Sequence, residues 1–334
     1  MNYLKILSAL KAPSGAEASV SDKLRELLAP FTSDVRVSNL GSTVALISSG
    51  KQGAKKLMLS AHVDSVSAFV TQILEGGFIK IAVNGMDRRV MLNADFTILG
   101  KQGSVRAIPC VLPPHLRKES GKVPEDSELT LDTGLSFENL KNKVSVGDTV
   151  IFTPNYTDLI GQRVTCASAD NRASCAVVLQ TLELIKDKDI NFDVVAAFTA
   201  QEETGAAGAA TVAFEYEPDE AVILDVTFAQ TPDTHYPEAG VLGGGTMIGV
   251  SPILSRRVID GLRAAAERAG EKSQLEVMPR STGTDADEVS KTGKGVACGM
   301  LSVPLRYMHT PSEVIDFDDI RSTAAVLAEY IING

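Results

Sequence analysis

Val194-Val195-Ala196-Ala197-Phe198-Thr199-Ala200-Gln201-Glu202-Glu203-Thr204-Gly205 changes character along its length. The apolar run Val194–Phe198 reads as a buried strand. An acidic turn follows, and Ala206–Phe214 then reads as a helix. Strand, polar turn and helix form the repeating unit of an α/β sheet, and the unit recurs after Gly161. Helices are predicted at Ala173–Ile185, Ser255–Ala269, Asp285–Lys291 and Phe317–Ile332. Strands are predicted at Ala221–Val226, Leu275–Met278 and Val296–Val303. In the first helix Ala176, Leu179, Leu182 and Ile185 fall on one face, and in the second Val258, Leu262 and Ala265 do. Upstream, Leu57–Val63 adds another strand. The alternation argues for a mixed, largely parallel sheet sandwiched by helices.

Between these two parts the pattern changes. Phe69–Leu74 and Phe78–Val83 flank Gly76-Gly77, a hairpin signal. Val90–Leu92, Thr97–Leu99, Val105–Leu112 and Val146–Phe152 continue as short strands, with a short helix at Phe137–Asn142. Residues 67–161 therefore read as a β-rich insert, and residues 1–66 and 162–334 as one α/β domain. That domain reads as complete without the insert, whose short strands leave edges for a partner surface to cover. Lys118–Glu128 reads as a mobile polar loop.

At 334 residues the chain is long for one compact core, which favours two domains. Its net charge of −10 and lack of a basic cluster argue against nucleic acid as a partner. Lys5 and Lys11 break any signal-peptide core, and no apolar run approaches the roughly 20 residues needed to span a bilayer. Cys110, Cys166, Cys175 and Cys298 are widely spaced, form no CxxC and read as small buried hydrophobes, so a reducing, cytoplasmic setting is expected.

Five polar motifs carry the chemistry: Ala61-His62-Val63-Asp64, Ala169-Asp170-Asn171-Arg172, Gln201-Glu202-Glu203-Thr204-Gly205, Ile223-Leu224-Asp225-Val226 and Arg306-Tyr307-Met308-His309-Thr310-Pro311. In open α/β sheets ligands sit beyond the carboxyl ends of strands. His62, Glu202, Glu203 and Asp225 all fall at such ends, whereas Asp170 and His309 follow strand-like runs less cleanly. Two histidines with several carboxylates suit a pair of borderline divalent ions, zinc or cobalt, sharing one activated water. Each residue also has a plainer reading. Asp170 sits where a helix N-cap would, Glu202 and Glu203 suit an acidic first turn, and Asp225 suits a turn. Adjacent side chains point apart, so one of Glu202 and Glu203 can hold metal while the other faces the water, but the pattern does not say which. Asp64, two residues from His62, can support the ring or the metal site. His115 and His235 lack such context and read as structural. Gly243-Gly244-Gly245 reads as a tight turn near the site. No GxSxG, HExxH, Walker A or CxxC motif is present.

The order and surroundings of these motifs resemble the M42 family of metalloaminopeptidases, the tetrahedral aminopeptidase group that includes glutamyl aminopeptidases and members labelled endoglucanase or cellulase. The likeness runs from Ala12-Pro13-Ser14-Gly15 to Met308-His309-Thr310-Pro311-Ser312-Glu313, through Pro113-Pro114-His115-Leu116 and Gly283-Thr284-Asp285-Ala286. It implies a zinc-peptidase-like α/β domain with a PDZ-like insert carrying oligomer contacts, and a homododecamer. It also implies two metal ions per subunit, one held by His62, Asp170 and Asp225 and the other by Asp170, Glu203 and His309. Glu202 would be the general base, and N-terminal residues of short peptides the substrate. Ser65, Ser67, Ala173-Ser174 and the stretch Gln230 to Asp233 depart from the family pattern, with consequences for pocket shape and substrate preference. A glycoside hydrolase is the first alternative, but it would leave the histidines unexplained, and the chain has no Trp to stack on sugars. An inactive family member is the second, and the intact Glu202 argues against it.

Overall fold

The computed structural model describes residues 1–116, 123–125, 128–234 and 239–334. Three strands precede the insert: β1 (Val35–Val37), β2 (Thr43–Ile47) and β3 (Lys55–His62). β4 (Ser67–Leu74), β5 (Phe78–Asn84), β6 (Phe96–Gly100), β7 (Gly103–Pro109), β8 (Thr130–Asp132) and β9 (Thr149–Phe152) close on themselves as a six-stranded barrel. β10 (Tyr156–Asp158), β11 (Arg163–Cys166), β12 (Phe192–Thr199), β13 (Glu220–Phe228), β14 (Thr246–Val250), β15 (Ser273–Val277), β16 (Ala297–Arg306) and β17 (Glu313–Asp316) join β1–β3 in one eleven-stranded sheet. Its order is β1-β2-β12-β3-β13-β16-β17-β11-β10, with β14 on β16 and β15 on β14.

The helices are α1 (Tyr3–Leu7), α2 (Ser21–Leu28), α3 (Arg88–Met91), α4 (Phe137–Lys143), α5 (Ala169–Ile185), α6 (Ala207–Tyr216), α7 (Arg256–Ala269), α8 (Ala286–Val289) and α9 (Phe317–Asn333). α1, α5, α9 and α7 pack side by side in that order, while α6 and α8 pack on each other and onto β12 and β16. β3 starts with two exposed lysines and then buries its remaining residues, because it lies between β12 and β13 with both sheet faces covered. α7 turns Val258, Ile259, Leu262, Ala265 and Ala266 inward and stops at Gly270, whose φ of 69° gives the left-handed cap. The large sheet and the barrel have separate apolar cores. Val66 and Ala167 pack into the barrel's core. Among the described residues no helix is long and apolar enough to cross a membrane.

The structure corrects several expectations. Only the centre of the sheet, β12-β3-β13-β16, and the β14/β15 pair are parallel. The flanks return by antiparallel pairing, so the sheet is mixed rather than largely parallel. Val90–Leu92 is not a strand. Asp87 caps α3 by accepting the Arg89 N–H, and the local hydrogen bond outweighs the β-prone composition. Tyr156–Asp158, placed in the insert by its sequence, pairs with β11 in the large sheet. Cys110 is exposed, while the other three cysteines are buried and all four are free. Gly243 and Gly245 form a turn, but their N–H groups donate to the Asp319 carboxylate at the head of α9, not to the site. Most of the polar stretch Lys118–Glu128, and all of His235, lie outside the described residues.

Candidate active site

β12, β3 and β13 run parallel, and Thr199 at the end of β12 pairs with His62 at the end of β3. The chain therefore delivers His62, the Gln201–Gly205 turn and Asp225 to one edge of the sheet. Gln201 and Ala206 adopt left-handed conformations on either side of Glu202–Thr204, which folds as one tight turn. Asp170 enters from the head of α5. Ser168 is left-handed, Asp170 and Asn171 depart from helical angles, and the peptide between them is cis. The Asn171 side chain donates to the Leu224 carbonyl, next to Asp225. Asp170 is thus neither a regular helical residue nor a side-chain cap.

Asp170 stands at the centre. Its Oδ1 lies 3.2 Å from His62 Nε2, and its Oδ2 lies 3.2 Å from His309 Nε2. Asp225 Oδ1 is 3.7 Å from His62 Nε2, and Glu203 Oε2 is 3.5 Å from His309 Nε2. His62, Asp170 and Asp225 form one triad whose donor atoms lie within 4.8 Å of one another. Asp170, Glu203 and His309 form a second.

The tautomers follow from the partners. His309 Nδ1 faces the Gly85 carbonyl at 2.9 Å, and His62 Nδ1 faces the Asp64 carbonyl at 3.2 Å. A carbonyl can only accept, so each Nδ1 carries the proton and each Nε2 turns its lone pair toward the carboxylates. Acceptors facing acceptors need a cation between them. Without one, the histidines take that part. Burial opposes a charged His62, but Glu202 and the hydrogen bonds to Asp170, Asp225 and Asp64 hold its pKa well above normal. Burial likewise opposes a charged His309, but Asp170 and Glu203 raise it to about 9. Burial raises Glu202 to about 9, with His62 opposing and Asp225, Asp285 and Glu203 adding, and it raises Glu203 to about 8. Glu203 Oε1 is buried without a hydrogen-bond partner. Among the described residues, the ion pairs of Asp170, Glu202, Glu203 and Asp225 all go to His62 or His309. Two imidazoles, these oxygens and an orphaned carboxylate atom fit a pair of divalent cations.

Glu202 belongs to neither triad, and its Oε2 lies 3.9 Å from His62 Nε2. Asp64 is fully buried and belongs to neither triad, its Oδ1 lying 3.5 Å from His62 Nδ1. It accepts the Ser14 hydroxyl at 2.7 Å and the N–H groups of Glu202 and Glu203 at 3.1 and 3.2 Å. It therefore braces the His62 ring and the Glu202-Glu203 turn. Burial would raise its pKa, but the hydrogen bond and charge of His62 outweigh this and lower it. His115 is exposed in a short turn, Pro114–Leu116, and takes no part in either triad.

Two supporting residues had no role assigned from the sequence. Glu313 accepts the N–H of His309 at 2.8 Å and that of Asp170 at 3.0 Å, fixing the two against each other. Asp285, under the sheet edge, accepts the hydroxyls of Ser60 and Thr199, each at 2.7 Å. A cavity of about 330 Å³ opens above the triads and reaches Thr227, Glu276, Thr282, Met300 and Met308.

A profile of the M42 glutamyl aminopeptidase family matches residues 41–326. The chain belongs to this family. Its activity is that of an aminopeptidase, and the endoglucanase label on some M42 structures does not describe it. The M42 chain is 27% identical to a lysyl aminopeptidase of Pyrococcus furiosus, over 96% of its own length and 92% of the relative's. An aminopeptidase structure from the archaeon Desulfurococcus kamchatkensis is 32% identical, with 99% and 94% of the two chains covered and a TM-score of 0.92. A Pyrococcus horikoshii TET1 peptidase, described as assembling into a tetrahedron or a large octahedral shell, is 25% identical, with 99% of each chain covered and a TM-score of 0.85.

One contact ties the α/β part of this M42 chain to the barrel. Gly85, which orients the His309 ring, follows β5 of the barrel. Its φ is +78°, and an added Cβ would come within 2.5 Å of Val66 Cγ1. Gly85→Ala is therefore expected to tilt the His309 ring and weaken metal binding at the second triad, by roughly tenfold. Metal titration followed by calorimetry checks this, and unchanged affinity would mean that the Gly85 carbonyl does not orient the ring.

Proposed function

We propose that the chain is a dinuclear metalloaminopeptidase that removes N-terminal residues from short peptides. The observation that carries this is Asp170, whose two oxygens each face the Nε2 of a different histidine at 3.2 Å. In this reading His62, Asp170 and Asp225 hold one ion and Asp170, Glu203 and His309 the other, with zinc or cobalt the best match to imidazole and carboxylate. When bound, the ions supply Lewis acidity and lower the pKa of water in the cleft. The remaining work falls to the chain. A Glu202 carboxylate oxygen takes a proton from the attacking water and delivers it to the nitrogen of the leaving amine. Burial among like charges raises the pKa of Glu202, and bound cations would lower it again toward the range in which a carboxylate can take and return a proton at neutral pH. Asp64 keeps the His62 ring and the Glu202 turn in register.

The barrel region, residues 67–161 by sequence, serves in this proposal as an inserted module for self-association. We read it as the counterpart of the PDZ-like insert that the family resemblance implies, with a homododecamer as the assembly proposed. The named assemblies of the P. horikoshii relative support this reading. Replacing the barrel alone, Ser67 to Phe152, by a Gly/Ser linker that leaves β10 in the large sheet is expected to abolish the oligomer, as read by light scattering. An unchanged mass would place the contacts elsewhere.

Aminoacyl p-nitroanilides and carboxymethylcellulose, assayed side by side with and without chelator, test the function. Chelator-sensitive release of p-nitroaniline and no attack on cellulose is the expected result. Cleavage of cellulose alone would overturn it.

A further inference from the structure

Glu276 is the carboxylate of the cavity that neither the triads nor the proposed base accounts for. It sits on β15 and reaches across to β13 and β16, where its Oε2 accepts the Ser302 hydroxyl at 2.8 Å and its Oε1 the Thr227 hydroxyl. Ser302 pairs with Asp225 across β13 and β16, and Thr227 lies two residues beyond Asp225 on the same face of β13. The Glu276 carboxylate is thus anchored between a position beside Asp225 and one two residues, about 7 Å, further along β13. No Lys or Arg lines the cavity among the described residues, and Met300 and Met308 contribute apolar wall. Two divalent ions would balance the four carboxylates facing them, Asp170, Glu202, Glu203 and Asp225. Glu276 would then be left as an uncompensated negative charge at the end of a partly apolar slot.

Resting on the aminopeptidase reading, we propose that Glu276 is a specificity-determining residue that selects peptides with a cationic N-terminal side chain, lysine or arginine. With the scissile bond at the triads, the four-carbon stem of lysine runs along the methionines and brings its ammonium to Glu276. The two hydroxyls hold the carboxylate in place, so little ordering is needed on binding. An acidic N-terminal side chain meets a like charge and no cation, so glutamyl substrates are disfavoured. The family's glutamyl designation therefore does not describe the preference of this chain.

Kinetics on metal-loaded enzyme with lysyl, arginyl, leucyl and glutamyl p-nitroanilides test the proposal. The wild type is expected to show kcat/KM for lysyl and arginyl substrates above leucyl, with glutamyl lowest. Glu276→Gln keeps shape and removes charge, and it is expected to lower the lysyl-to-leucyl ratio roughly tenfold, the scale of one charged hydrogen bond. Glu276→Asp is expected to restore part of that ratio. Calorimetry gives a readout independent of turnover: L-lysine should bind the wild type more tightly than L-norleucine, and Glu276→Gln should erase the difference. A ratio indifferent to Glu276→Gln, or a wild type that prefers leucyl or glutamyl substrates, would overturn the specificity assignment and leave the aminopeptidase reading standing. Failure to cleave any of the four substrates would instead overturn that reading, and the lysine–norleucine comparison would then decide the role of Glu276 alone.

Discussion

Glu202→Gln is expected to retain both metal ions and to lose turnover by about 10²–10⁴-fold, the usual contribution of a positioned general base. Glu202 is absent from both triads, so its loss removes no ligand. Its backbone N–H still donates to Asp64, so the turn that also places Glu203 is undisturbed. Glutamine has nearly the same shape but cannot accept the proton. Metal analysis alongside kcat separates the two roles. Near wild-type kcat would remove Glu202 as the base, and loss of metal would make it a ligand.

The second large effect is expected at Asp170. It is the one residue shared by the triads, so Asp170→Ala should take the metal content from two ions per chain to none and activity to background. His309→Ala is the control. It disables the second triad and leaves His62, Asp170 and Asp225 in place, so one ion should remain. The two variants differ in stoichiometry, which elemental analysis after gel filtration reads directly. Equal loss in both, with unchanged thermal stability, would show that the ions do not share Asp170.

Much of this site was legible in the sequence because a parallel sheet announces its strand ends. His62, Glu202, Glu203 and Asp225 each terminate or interrupt an apolar run, and the parallel register of β3, β12 and β13 brings those ends together. Asp170 was harder. Its surroundings look like the start of an ordinary helix, and only the left-handed Ser168 and the non-helical angles at Asp170 turn the carboxylate into the site. Glu313 acts through backbone N–H groups, which leave no trace in side-chain patterning. Gly85 acts through its carbonyl on a ring 224 residues away, which no periodicity can reveal. Glu276 was visible only as a charge inside a predicted strand. Apolar runs announce the sheet's parallel centre but not its antiparallel flanks: β1, β2, β10, β11 and β17 are only three to five residues long, and their pairing is set by tertiary contact.

We propose that two divalent ions held around Asp170 support a peptidase reaction. Titrating metal-free protein with zinc or cobalt while following hydrolysis of an aminoacyl p-nitroanilide tests it most directly. Activity is expected to be absent at the start and to reach its plateau at two ions per chain, with anomalous scattering placing them about 3.5–4 Å apart on either side of Asp170. Full activity in chelated protein, or a plateau at one ion, would contradict it.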